Sequence, residues 1–465
     1  MVEPERAMAQ EKAPQGSIFR HRLFALIWAG AFLSNIGNWM ENSAQNWAVA
    51  AAHYPRPGQS AFMVELLNFA DFVPALFLVL LAGVITDRVN LKRYLLWLQV
   101  LACALGTGLA VAAYLGWASP WVVIAFTFAE GIVWALNGPP WQTVVPHLVP
   151  RGELPRAIAA NSAQFNMARL LGPFLAGMVI LHVGLAAAFF INALSFIPVI
   201  LALTRLPAEP RRKPALREGS LLQDVGSGIR IVAAHQGLRR LSLMLVCFMF
   251  LAAPVQGLLA VYVQQVMGGD SRLYGTMLGG IGAGALLGAL VIGRVPVYYP
   301  RHHLIPLAMC LACVFMLAFS LATTPWMGLP ILVGVGFFWM LSLNSANAAN
   351  QLLATDENRG RVLSVMLLCN QGFMPLGHLF AAFLTHWLSP QWVIRTMVGA
   401  LLLVMLYFFM QREPAIDAMT PRPPRATGVW QAIWEALTAQ SHRPVPETMR
   451  EDLAGGKPAA DQRMG

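Results

Sequence analysis

Charge is what this sequence has least of. Only 12% of its 465 residues are Asp, Glu, Lys or Arg, against 57% hydrophobic, where a soluble domain carries about 25% charged residues. There is too little polar surface here to cover a soluble globular fold. Acids are the scarcer sign, 22 against 32 bases, and a net charge of +10 raises the question of nucleic acid. The placement of the bases answers it. Of the 32, 28 fall in the N-terminus, the tail and alternate loops; Arg56 and Arg272 lie in the loops between, and Arg169 and Arg395 within apolar runs. A one-sided basic excess orients a chain in a membrane and is not a nucleic-acid footprint. The five Cys residues all lie inside apolar runs, and the C-x-x-C of Cys310 and Cys313 has no neighbouring ligands, so no metal or redox site is expected. G-x-x-x-x-G-K-[ST] and H-E-x-x-H are missing, as is any readable cluster of Ser, His and acid. That argues against an enzyme, against any cofactor, and against ATP drive unless a partner subunit supplies it. The first 20 residues are polar and mixed in charge, so no cleavable signal peptide is expected.

What the sequence has instead is twelve apolar runs long enough to cross a bilayer, each about 20 residues. They begin near Leu23, Ala61, Tyr94, Pro120, Ala157 and Leu185, then Leu241, Leu273, His302, Trp326, Val362 and Gln391. This predicts an all-α integral membrane protein with both ends in the cytoplasm of a cell whose inner membrane it spans. Five segments follow: an N-terminus at 1–21, six spans over 22–204, a linker at 205–240, six spans over 241–412, and a tail at 413–465. The linker holds eight bases and starts Pro-rich. Within it, Ser220 to Gly237 reads as a surface helix. Ser220 and Gln223 have capping-box spacing, and Leu222, Val225, Ile229 and Val232 share a face. Such a helix lies on the membrane or on the bundle, or regulates it. The tail carries another apolar patch, Val429, Ile433, Trp434 and Leu437, before a polar end expected to be disordered.

The two sets of spans echo each other. PRAIAANSAQFNMARLLGP from Pro155 aligns with GRVLSVMLLCNQGFMPLGH from Gly360, placing Arg156 on Arg361 and Gly172 on Gly377. Between the second and third runs lies GVITDRVNLKR, Gly83 to Arg93, read as a short surface loop. Its spacing G-x-x-x-D-R-x-x-x-K-R resembles the signature loop of the major facilitator superfamily of transporters. The resemblance implies two pseudo-symmetric six-helix bundles rocking about a midplane cavity. It also implies a conformational latch of Gly83, Asp87, Arg88, Lys92 and Arg93, with Asp87 meeting the start of the eleventh span at Arg359, Gly360 and Arg361. The alternative is a basic turn that only sets topology. Its counterpart in the second half, GRVPVYYPRHH from Gly293, has Val297 and Tyr298 where Asp87 and Arg88 would fall.

Further strings narrow the resemblance: FRHRLFALIWAGAFLSNIGNWM from Phe19, PHLVPRGELPRAIAANS, FNMARLLGPFLAG and NRGRVLSV. Together they look like the branch that includes enterobactin-type siderophore exporters and macrolide efflux proteins. Gly172, Pro173 and Gly177 resemble the Gly-Pro-Gly motif of drug/proton antiporters, with Ala168 where a glycine is usual. The motif is either a helix kink with a sealing role or a close-packed helix contact. Gly280, Gly284 and Gly288 read as a packing face.

Ionisable groups at bilayer depth face a cavity or a partner. Glu41, Asp71, Glu130 and Arg169 stand out, all in the first half, and are the candidates for proton coupling. Ser34, Asn35, Asn38, Glu41, Asn42, Gln45 and Asn46 fall within an arc of about 140° at 100° per residue, so the first span is expected to line the cavity. Glu41 either carries a proton or is simply wetted near the outer mouth. Asp71, with Glu65 and Asn68 on a neighbouring arc, carries a proton or pairs with Arg169; the pair is favoured. Glu130 shares a face with Trp134, Asn137 and Trp141, which stacks cargo or packs another helix. The second half offers Gln256, Asn344, Asn347, Asn370, Gln371 and His378 at comparable depth. The cargo-cavity candidates are thus Asn38, Gln45, Trp134, Asn137, Asn344, Asn347, Asn370 and Gln371. The expected function is export of a small amphipathic organic compound, such as a siderophore or drug, against proton entry. The expected partners are cargo, protons and the bilayer, without nucleic acid; the chain is expected to work as a monomer, with no periplasmic partner identifiable. An importer or facilitator on the same fold is the alternative, and a non-transporting sensor or enzyme is further off.

Overall fold

The computed structural model describes residues 17–56, 58–207, 221–292, 301–355 and 358–411. Among them every regular element is a helix. A 3-10 turn, Ile18–Arg20, leads into α1 (Arg22–Ala51), α2 (Gln59–Arg88), α3 (Leu91–Tyr114), α4 (Pro120–Leu148), α5 (Leu154–His182) and α6 (Leu185–Thr204). Then come α7 (Leu221–Ala234), α8 (Gln236–Ala252), α9 (Pro254–Gly257), α10 (Leu259–Gln265) and α11 (Ser271–Ile292). The chain continues through α12 (Arg301–Phe319), α13 (Pro325–Leu353), α14 (Arg359–Gln371), α15 (Phe373–Leu384) and α16 (Pro390–Met410). Eleven segments among the described residues are long and apolar enough to cross a membrane, and His303–Phe319 is a shorter apolar twelfth. Each expected span start lies within a few residues of a helix start. The tail patch at Val429 to Leu437, Ser220, and the second-half loop from Gly293 to Pro300 lie outside the described residues.

An apolar run in hydrocarbon must satisfy its own backbone, which makes it helical; the ends are set by caps. Asn90 Oδ1 accepts from the Arg93 N–H at 3.0 Å, Ser119 Oγ from Val122 N–H at 3.4 Å, and Pro opens α4, α13 and α16. One expectation changes here. The stretch from Gly83 to Arg93 is not an open loop: α2 runs through Arg88, and only Val89 and Asn90 separate it from α3. The seventh and eleventh spans are not continuous helices. Pro254 cannot donate to the Phe250 carbonyl, nor Pro375 to that of Gln371, and helix is interrupted at Ala253, Leu258 and Gly372. The Phe250 backbone lies where a Cβ on Gly377 would sit, so α15 crosses the break in α8 at its glycine.

Consecutive spans alternate between two faces. The basic face holds the starts of α1, α3 and α5; the opposite face holds the α1–α2 turn, where Gly58 adopts φ 79° with the Thr385 carbonyl 2.7 Å from where a Cβ would stand. α1 is central, packing on α2, α4, α5 and α6, while α5 packs on α11 and α2 on α15. Gly172, Pro173 and Gly177 are buried in an unbroken α5. Gly172 meets Trp39 and Met40 of α1, and Gly177 meets Ser271 and Gly275 of α11, so the motif is a close-packed seam. Gly280, Gly284 and Gly288 form the expected packing face, against α13.

Bases also finish helices on the basic face. Lys92 Nζ donates to the carbonyls of Thr204 and Leu206, each at 2.5 Å, at the end of α6. Arg240 donates to those of Phe408 and Gln411 at the end of α16. Each places a cation on unsatisfied carbonyls. The surface helix exists as α7 and lies on the bundle, with Gly228 against Val365 and the Arg361 carbonyl of α14. Val232 is buried and Ile229 exposed, while the side chains of Leu222 and Val225 are outside the described part.

The N-terminal turn is pinned beside α5. Arg20 and His21 both bond Glu153, His21 Nε2 at 2.8 Å, and Ile18, Phe24, Val149 and Ala157 bury a small apolar cluster. Desolvation opposes ionisation of Glu153, but the His21 hydrogen bond and the Arg20 charge outweigh it and hold the carboxyl below its ordinary range. The contact therefore stabilises at neutral pH and is lost as the pH falls below about 4.3. Hydrogen-exchange protection over residues 18–28 should drop on acidification in the wild type. In Glu153→Gln it should already be low at pH 7 and no longer respond to acid.

Candidate functional site

The polar stripe of α1 wires the helix to its neighbours rather than facing one open water column. Asn35 Nδ2 donates to Gln164 of α5 at 3.4 Å, and Asn46 Oδ1 accepts from Asn68 of α2 at 2.8 Å. Asn38 is exposed. Asn42 Nδ2 donates to Asp71 Oδ2 at 3.0 Å and Gln45 Nε2 to Glu130 Oε2 at 2.7 Å. Glu41, only 5% exposed, accepts from Asn192 Nδ2 of α6. At 1.5 Å per residue, Glu41, Asp71 and Glu130 all lie about 15–18 Å in from the opposite face, near mid-membrane.

These three carboxyls from α1, α2 and α4 form one cluster: Glu41 lies within reach of the Glu130 and Asp71 charges, and Asp71 also within reach of the His378 charge. Each has one oxygen held by a neutral amide, while Oε1 of Glu41 and of Glu130 is buried without a partner. An amide orients a carboxyl without supplying a positive charge.

Arg169 does not pair with Asp71. Its guanidinium lies over the Trp39 ring, 5.3 Å from the centroid, and donates to Gln256 Oε1 of α9 at 3.5 Å. The α5 register turns it toward the second half, where the break after α8 exposes Gln256, while Asp71 is satisfied by Asn42. Arg169 thereby makes a contact across the halves.

The structure adds a pair that sequence reading did not assemble. His378 Nδ1 of α15 and Glu65 Oε2 of α2 lie 2.7 Å apart, 1% and 0% exposed. The Phe72 ring stacks on the imidazole at 6.1 Å and 9°. Glu65 stood beside Asp71 on the α2 pattern, and His378 among the neutral groups of the second half. A titratable residue of each kind inside an apolar run was the available signal, but nothing in a single sequence joins positions 313 apart. Ionisable groups are therefore not confined to the first half.

The cargo candidates divide. Trp134 and Asn347 are exposed, and Asn344, Asn370 and Gln371 are half-buried. Asn137 accepts from Gln99 of α3 at 3.2 Å, and Trp141 packs on the apolar cluster of Leu91, Leu95, Phe196 and Val199, so these two brace α4 against neighbouring helices. Gln45 is engaged by Glu130. Of the latch residues, the side chains of Gly83, Asp87 and Arg88, with Arg359 and Gly360, are outside the described part. Lys92 caps α6, Arg93 lies in the first turn of α3, and Arg361 is exposed at the start of α14.

Residues 14–437 match the family described as transmembrane secretion effector, part of the major facilitator superfamily. The chain belongs to that family. It is thus a multi-pass membrane transporter, in a family of transporters rather than enzymes. Family relatives include the staphyloferrin A transporter of Staphylococcus aureus, 25% identical over 83% of this chain and 96% of that one. Macrolide efflux protein A of Streptococcus pyogenes is 23% identical over 78% and 91% of the two chains. Among solved structures, a D-xylose–proton symporter superposes with a TM-score of 0.67 at 13% identity, covering 86% of this chain and 99% of its own. That likeness establishes the major facilitator fold.

If Asn192 orients Glu41, replacing it should unbalance the cluster. Asn192→Leu should destabilise the purified protein by roughly 1–3 kcal/mol, the cost of an orphaned buried acceptor, read as a lower midpoint in a thermal melt. Adding Glu41→Leu to it should recover most of that loss; a double variant no more stable than the single would contradict the pairing.

Proposed function

We propose that this transporter exports a small amphipathic organic compound from the cytoplasm in exchange for protons. The observation that carries the reading is the Glu41, Asp71 and Glu130 cluster: three acids at mid-membrane, held by amides and without a base among their hydrogen-bond partners. Three negative charges there are costly, and the nearby His378 is already paired with Glu65, so the cluster takes up protons when closed to water and yields them when a cavity reaches it. The staphyloferrin A transporter supports the cargo class, and the macrolide and multidrug efflux relatives support both the cargo class and the outward direction.

In this reading the basic face is cytoplasmic, both termini lie there, and the chain works as a monomer in the inner membrane. Residues 22–204 and 241–412 are the two rocking bundles, joined by the linker and α7. Cargo enters between them from the cytoplasm beside Asn38, Asn347, Asn370 and Gln371. Asp87 and Arg88, with Arg361, close the cytoplasmic side when the other side opens. Cargo and proton each favour a different facing state, and exchange follows because both act on one two-state equilibrium.

The test is Glu41→Gln in liposomes. A pH gradient should drive cargo at least roughly tenfold more slowly than in wild type, a loss of about 1.4 kcal/mol of coupling. Exchange of labelled for unlabelled cargo across the same membrane should persist. Drive retained in Glu41→Gln, Asp71→Asn and Glu130→Gln alike would refute the cluster as the proton site.

A further inference from the structure

Several side-chain contacts between the first six and last six spans lie near the face opposite the basic one. Gln265 Nε2 of α10 donates to Ser60 of α2 at 2.8 Å, Trp47 of α1 stacks on Tyr274 of α11 at 5.8 Å, and Phe62 of α2 meets His386 at 5.0 Å. One turn deeper sits Glu65–His378. Glu65 is six residues into α2 and His378 six from the end of α15, so each lies about 9 Å in from that face. This ion pair joins the two halves.

We propose that Glu65 and His378 form the lock that closes the outer side, and that a proton taken from the outside sets it. With the imidazole protonated, the pair is neutral overall and its two charges satisfy each other. Without that proton, a carboxylate buried at 0% exposure faces a neutral ring and carries a net negative charge, which at this depth favours water entry and separation of α2 from α15. The mechanical parts adjoin it. Gly372 interrupts the helix before α15, Gly377 crosses the Phe250 backbone, and a Cβ on Gly257 of α9 would crowd Glu65 Oε1 and Asn68. Glu65 Oε1 and His378 Nε2 are buried and unpartnered, so opening to water satisfies both.

The other titratable groups around the pair are few. On α2 the next is Asp71, close enough to feel the His378 charge; α1 brings Glu41, α4 brings Glu130, α10 brings Tyr262, α8 brings Cys247 and α14 brings Cys369. α9, Pro254–Gly257, brings none. The pair therefore differs from the acidic cluster in having its own cation. Closing the outer side by protonation returns an exporter to its inward-facing state; that use of the proton, and the sidedness, rest on the function proposed above, whereas the lock rests on the contact.

A thiol at Ser60, buried in the closed face, reports opening. Ser60→Cys in whole cells is labelled by a membrane-impermeant maleimide, with the rate divided by that of the exposed Arg56→Cys to remove the pH dependence of the reagent. The unsubstituted chain supplies the background of its five native cysteines. Labelling should be slow at external pH 6 and rise toward pH 8.5. Glu65→Gln and His378→Gln should each raise it about tenfold at pH 6 and flatten its pH dependence, and the exchanged pair Glu65→His with His378→Glu should restore both. Rates and pH response unchanged in the single variants would overturn the proposal. So would faster labelling that keeps the wild-type pH response, which a purely structural contact predicts. Where a single variant yields no folded protein, the exchanged pair decides: folded and pH-responsive supports the lock, anything else counts against it. No cargo is needed, so a lock that responds as stated in a protein showing no proton counterflow would dismiss the exporter reading alone.

Discussion

Hydrocarbon does not solvate charge, and the arrangement of this chain follows from that. An ionised side chain at bilayer depth needs a partner, a cavity or a proton. Bases at the membrane surface meet the requirement with helix ends, as Lys92 does on α6 and Arg240 on α16. Arg169 meets it with the Trp39 face and an amide. Glu65 meets it with His378, and the hydrogen-bond partners of Glu41, Asp71 and Glu130 are amides. In the function proposed above, these last are the groups a transport cycle titrates.

The same solvent makes helix–helix contact depend on shape. Lipid tails are as apolar as leucine, so association comes from close approach and interhelical hydrogen bonds. Gly172, Gly177 and Gly275 let α5 lie against α1 and α11 with backbone nearly touching backbone. The interruptions at Ala253, Leu258 and Gly372 put bending points in the second-half spans that carry Gln256 and His378 toward the first half.

Much of the architecture is legible in the sequence because twenty-residue apolar runs admit one conformation. The starts of α4 and α6 at Pro120 and Leu185 coincide with those expected, and α7 was visible in the spacing of Val225, Ile229 and Val232. The length of α2 was not, because Asp87 and Arg88 read as loop although α2 runs through both. Interruption of the seventh span was foreshadowed only by Pro254, a residue membrane helices often tolerate. Site residues were legible as types and not as pairs. Glu41, Asp71 and Glu130 were identifiable from depth alone. That Arg169 turns to Gln256 instead of Asp71, and that Glu65 finds His378, depends on rotations of α5 and α15 that a periodic apolar pattern does not encode. Gln99 turning Asn137 into a brace between α3 and α4 is hidden for the same reason.

The central claim is that outward cargo movement and inward proton movement are one process in this protein. Liposomes holding the purified chain and a pH-sensitive dye, given a panel of a catecholate siderophore, a macrolide and a lipophilic cation one at a time, test it directly. The account predicts that one compound, moving down its imposed gradient, makes protons move the opposite way, with no flux in empty liposomes. Cargo movement with a silent dye would contradict it: the protein would then be a facilitator or use another ion, and the buried carboxyls would be structural.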